Sequence, residues 1–224
     1  MKRLRGVSGV RRAVWAYVRS APGTYVWLVI LFFTTVALHH MSPEFEQEFL
    51  RQRSTNIREL SRHPVRVLVA SAMWIDGGHW PPYVALYSVF HAPAERWLGT
   101  ARWLAVCAAA HVLATLISQG VLAWAIRDGL APQSSVNTLD VGVSYALAGV
   151  VGVLVYRLPS PWRYAYLAVV LVVYTVPLTA TPTFTDVGHF VSVLIGLACY
   201  PLVRGRERAP RDPERTVGAS PDRR

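Results

Sequence analysis

Hydrophobic positions along this chain come in long blocks rather than at a period of 2 or 3.6, and such blocks belong to segments that face lipid. The pattern predicts spans over about 24–40, 79–91, 101–124, 141–156, 162–179 and 187–203. Between the first two lies a long polar stretch, Met41 to Gly78, containing FEQEFLRQRSTNIRELSR. Its charge and partial helical periodicity predict a surface helix. Pro81 and Pro82 sit at the start of the second block, where a first helical turn tolerates proline. The fold class expected is an all-α membrane protein with a six-helix bundle over residues 24–203. A basic N-terminal segment, 1–23, and a disordered Pro/Arg/Asp-rich tail, 204–224, flank it.

Composition supports a membrane protein. Hydrophobic residues make up 53% of the 224 and charged residues 16%, against about 25% charge in an ordinary soluble domain. The net charge of +10 gathers at the two ends, MKRLRGVSGVRR and RGRERAPRDPERTVGASPDRR. Each end adjoins an apolar block, so positive-inside anchoring accounts for it, and no nucleic-acid-binding signature accompanies the charge. Both termini are therefore expected in the cytoplasm of a multi-pass plasma-membrane protein. The loops Glu95–Arg102 and Arg157–Arg163 agree, and the uncharged Ala180–Thr185 falls outside. One feature dissents: the first outer loop holds Arg51, Arg53, Arg58, Arg62 and Arg66. Long loops weigh less in setting topology. The first block ends in Leu38-His39-His40-Met41, which lacks a small-x-small cleavage site, so it reads as a retained span. Cys107 and Cys199 lie in apolar stretches and suggest no disulfide framework.

Polar side chains inside spans are costly and point to function. Ser144, four residues past Asp140, His189, three past Asp186, and His79 all fall within roughly 6 Å of the outer boundary at 1.5 Å per residue. A serine and a histidine at matched depth suggest a nucleophile and its general base, with His79 and the Ser144 N–H as oxyanion donors. The plainer reading is that Ser144 packs or hydrogen-bonds across helices. His111, with Thr115 one turn on, reads as mid-membrane and interhelical, too deep to meet Ser144. His39 and His40 read as interfacial. The ridge Gly188-x-x-x-Ser192-x-x-x-Gly196 reads as a close contact between the fourth and sixth spans. No metal or cofactor is expected, since no paired-histidine spacing within one helix supports haem ligation.

The order of these elements resembles the rhomboid family of intramembrane serine proteases, and more closely its divergent bacterial rhomboid-like members, from the first span to Val203. Arg62-His63-Pro64-Val65-Arg66 and the run to Met73 resemble the family's first-loop segment. His79 falls at the first residue of the His-x-x-x-Asn oxyanion motif, and Glu95-Arg-Trp-Leu-Gly99 is similar to the Glu-x-x-x-Gly closing the second span. Gly142-Val-Ser144 matches Gly-x-Ser, and Gly152 matches a small position further along that helix. Gly188-His189 followed by Gly196 is similar to the family's Ala-His-x-x-Gly-x-x-x-Gly. The resemblance implies a serine endopeptidase that cleaves transmembrane segments, with Ser144 as nucleophile, His189 as base, and His79 and Tyr83 at the oxyanion. Gly142, Gly152, Gly188, Ser192 and Gly196 would pack the helices.

Four positions depart from the pattern. Tyr145 replaces the glycine after the serine, Tyr83 the asparagine, Trp74 an accompanying histidine and Ser192 the first glycine after the last-span histidine. The first and second motivate an alternative, a catalytically inactive rhomboid-like pseudoprotease that binds transmembrane helices of client proteins. Either way the partners are membrane-protein segments and the lipid bilayer, with no nucleic acid. A transporter would be expected to show internal repeats, and the two Asp-Val-Gly starts at 140 and 186 are too short to count as one.

Overall fold

The computed structural model describes residues 2–77, 79–180 and 182–205, without the side chains of residues 2–8. The tail expected to be disordered therefore lies, from residue 206 onward, outside the described residues. Within them every regular element is a helix. The N-terminal basic segment forms α1 (Lys2–Arg19), and the first apolar block forms α2 (Pro22–His39). The polar loop folds as three short helices, α3 (Pro43–Arg51), α4 (Ile57–Arg62) and α5 (Pro64–Ser71). Ser42 and Asn56 cap the first two through their side-chain oxygens, and Pro43 and Pro64 occupy first turns, where no N–H is needed.

The second block differs from expectation. It runs unbroken from Trp80 to Leu98 as α6 (Trp80–Leu86), a π-helical turn (Tyr87–His91) and α7 (Ala92–Leu98). His91 and Glu95, whose polarity ended the block in sequence, are buried with 0% and 1% exposure. Glu95 is satisfied there. Its carboxylate accepts from the N–H groups of Gly23 (2.9 Å) and Thr24 (2.7 Å) and from the hydroxyls of Thr24 (2.8 Å) and Thr100 (2.7 Å). One side chain thus caps the N-terminus of α2, where negative charge is favoured. Gly99 turns the chain at φ +83°, a backbone angle that suits glycine alone.

The remaining helices are α8 (Thr100–Arg127), α9 (Val143–Val153) with a 3₁₀ extension (Leu154–Arg157), α10 (Trp162–Ala180), α11 (Phe184–Ala198) and α12 (Tyr200–Val203). Among the described residues three helices, α2, α8 and α10, are long and apolar enough to cross a membrane, while α9 with its extension and α11 are shorter apolar helices. The centre is made by α8, α9 and α11. Ten of the eleven residues of α9 are buried, whereas α10 buries only Val170.

Candidate active site

The seam between α9 and α11 is built from small residues. A Cβ on Gly196 would fall onto the Gly149 carbonyl, and one on Gly152 would lie 2.5 Å from the Val193 carbonyl. On the other side of α9, a Cβ on Gly149 would strike that of Ala110 in α8. Ser192 is fully buried and donates its hydroxyl to the Gly188 carbonyl one turn back (2.8 Å). Such contacts bring helix backbones together where no side chain intervenes.

Toward the start of α9 the seam changes character. The Tyr145 side chain, 0% exposed, fills the space between the two helices. A Cβ on Gly188 would lie 2.5–2.6 Å from its ring and hydroxyl. The ring meets His189 edge-on at 5.2 Å between centroids, and Tyr174 of α10 lies 6.3 Å from the same imidazole. The tyrosine at 145, a departure from the family pattern, occupies the room that glycine leaves at 188.

Ser144 and His189 are both half-buried on neighbouring helices. Among the described residues no hydrogen bond joins them, and none links Ser144 to His79 or Tyr83. His79 is exposed ahead of α6, and Tyr83 packs on Tyr87, 6.2 Å between rings. Trp74 meets Phe49 of α3 at 4.8 Å.

Two residues gain importance that their sequence positions did not suggest. Asp140, read only as the edge of a loop, is 4% exposed. Its carboxylate accepts from Gln119 Nε2 (2.9 Å) and Thr55 Oγ1 (3.1 Å), and its N–H donates to Ser54 Oγ (2.7 Å). Thr55 returns an N–H to the Asp140 carbonyl (3.0 Å). Burial pushes the Asp140 carboxyl above its ordinary range, opposed by these hydrogen bonds. The Tyr145 hydroxyl faces Asp140, Ser118 and Thr185 without completing a hydrogen bond.

His111 is the second. It sits beside Gly142, whose Cβ would fall on the imidazole, and its Nε2 donates to the Leu68 carbonyl (2.8 Å), with Ser71 Oγ at 3.3 Å. This bond between α8 and α5 is of the interhelical kind expected for His111, and its ring reaches Gly142, two residues before Ser144.

A family model described as a rhomboid-like protein matches residues 16–209. The chain belongs to the rhomboid-like family. Among curated proteins and among solved structures, none matches. Membership covers nearly all the described helices, and it fits an all-helical protein with membrane-crossing segments whose partners are membrane proteins in a bilayer. Rhomboid-like proteins include proteases and pseudoproteases, and the arrangement around His189 bears on which of these this chain is.

Proposed function

We propose that this rhomboid-like protein binds transmembrane segments of client proteins without cutting them. The observation that carries this reading is Tyr145 seated in the Gly188 notch with its ring against His189. Tyr145, Gly149 and Gly152 of α9 pack against α11, spaced by four and three, the repeat of one helix face, and Ala148 and Val151 share a core cluster with Val193 of α11. Ser144 stands about 100° around the helix from Tyr145. A Ser–His pair needs hydrogen-bond reach, about 2.6–3.2 Å, for proton transfer.

A specific observation favours a second reading, the serine endopeptidase. Ser144 and His189 remain partly exposed on helices that pack together, and catalytic contacts often tighten only with substrate bound. Covalent labelling by a fluorophosphonate probe separates the two. Folded protein in mild detergent should stay unlabelled, while a photo-crosslinkable transmembrane peptide is captured intact. Labelling that disappears in both Ser144→Ala and His189→Ala would overturn the non-cutting reading.

A further inference from the structure

The last turns of α1 are fastened to the bundle, while an apolar face ahead of them is open. The fastening begins in the second block. There the Ala92 N–H reaches back five residues to the Tyr87 carbonyl, and Pro93 has no N–H to offer. The Ser88 carbonyl released by this π turn accepts instead from the Tyr17 hydroxyl of α1 (2.8 Å). The Tyr17 ring meets Tyr25 of α2 edge-on at 6.5 Å, and the Arg96 guanidinium lies 4.8 Å from its centre. Ser20 and Ala21 alone separate α1 from α2, and the fully buried Ala21 donates its N–H to the Val18 carbonyl (3.2 Å). The end of α1 is thus pinned where α2, long and apolar enough to cross a membrane, begins. Val10, Val14 and Val18 recur every four residues and share one face of α1. Val10, Val14 and the neighbouring Trp15 are each more than half exposed. Along its sequence α1 carries six basic residues and no acidic one.

We infer that α1 lies along the surface of the bilayer on the side where α2 begins, bound to anionic phospholipids. The Val10–Val14–Val18 face rests in the acyl boundary, and Arg11 and Arg19 meet the phosphates. Charge keeps α1 from crossing, since its basic residues would each have to leave water. The two-residue junction and the Tyr17 fastening keep it from drifting off into solvent, where its valines and Trp15 would be costly to expose. A protein partner would need an acidic rim around an apolar face. The bilayer that α2 enters supplies both at the same level, and guanidinium forks pair with phosphate oxygens. Trp15, with Arg19 at 5.9 Å from its ring, suits the headgroup layer, where the apolar body and the N–H of an indole both find partners. Such an arrangement is that of an amphipathic surface anchor, here joined through Tyr17 to the π turn of the second block. This inference is independent of whether Ser144 acts as a nucleophile.

The test uses the full chain in lipid nanodiscs, with Cys199→Ser removing the half-buried thiol and Cys107 left buried. An environment-sensitive fluorophore is attached at Val14→Cys or at Ala16→Cys, which lie about 160° apart around the helix. Lipids carrying a doxyl group near the top of the acyl chain should quench the label at 14 and spare the label at 16. Amide hydrogen exchange across α1 should be slower in phosphatidylglycerol than in phosphatidylcholine. Arg11→Gln and Arg19→Gln should each reduce that difference about fivefold, from about 1 kcal/mol per arginine near an anionic lipid surface. Gel filtration and melting establish that each variant is folded. Equal quenching at both positions, or at neither, overturns the inference. A label at 14 shielded from water yet unquenched assigns the face to a protein partner and overturns it too, as does equal exchange in the two lipids.

Discussion

The two ends of the α9–α11 seam use small residues for different purposes. At the far end Gly149 meets Gly196, both partners lack side chains, and the backbones themselves make the contact. Near the start of α9 only Gly188 is small, and what fills the space is the ring of Tyr145. The first arrangement is a joint. The second is a socket, in which one helix gives up a methyl so that the other can insert an aromatic side chain. A glycine in a packed membrane helix is therefore interpretable only with its opposite number in view.

Gly196→Leu tests the joint and should have the largest effect. The side chain would enter the space of the Gly149 carbonyl, a main-chain atom that cannot step aside. We expect a loss of more than about 3 kcal/mol, beyond ordinary overpacking, measured as loss of the monodisperse folded peak. Gly188→Ala tests the socket. Its Cβ meets a ring that can tilt, so a cost of about 1–3 kcal/mol is expected. Tyr145→Gly should recover part of that cost in the double variant, giving a non-zero coupling energy in a thermal-melt cycle. Additive effects would mean that the two positions are not matched.

The third prediction concerns the polar neighbour of the socket. Asp140 has a folded-state carboxyl shifted above its usual value of 3.8 by burial. In that case the native state holds the proton more tightly than the unfolded chain. The stabilising contribution is full below about pH 4 and is lost as pH rises through the folded value. Melting in detergent should show stability falling across that window in the parent, and the slope should be absent in Asp140→Asn. A slope that survives the substitution would assign it to another group. The smallest effect is expected at Ser144→Ala, within about 0.5 kcal/mol, because the hydroxyl has no hydrogen-bond partner among the described residues.

Much of the helical architecture was legible because lipid imposes long apolar runs that chain position alone reveals. What escaped was polar burial. His91 and Glu95 read as the end of a span, yet both lie in the core, Glu95 because four donors from α2 and the start of α8 converge on it. Asp140 read as a boundary marker for the same reason, since its partners Thr55 and Gln119 are far away in sequence. Around the candidate site, Tyr145 as a departure and Gly188 as a packing residue could both be named from sequence. Their fit, Tyr145 into the space at Gly188, required the distance between helices, which no spacing within one helix encodes.

The Glu95 clamp also has a consequence for biosynthesis. The N–H groups at the start of α2 emerge from the ribosome long before their acceptor, which lies 71 residues beyond Thr24. The carboxylate that caps α2 is thus supplied by a segment made much later, and Thr100, which follows it in the chain, adds the last of its four donors. The order of synthesis therefore separates formation of the first apolar helix from completion of its cap.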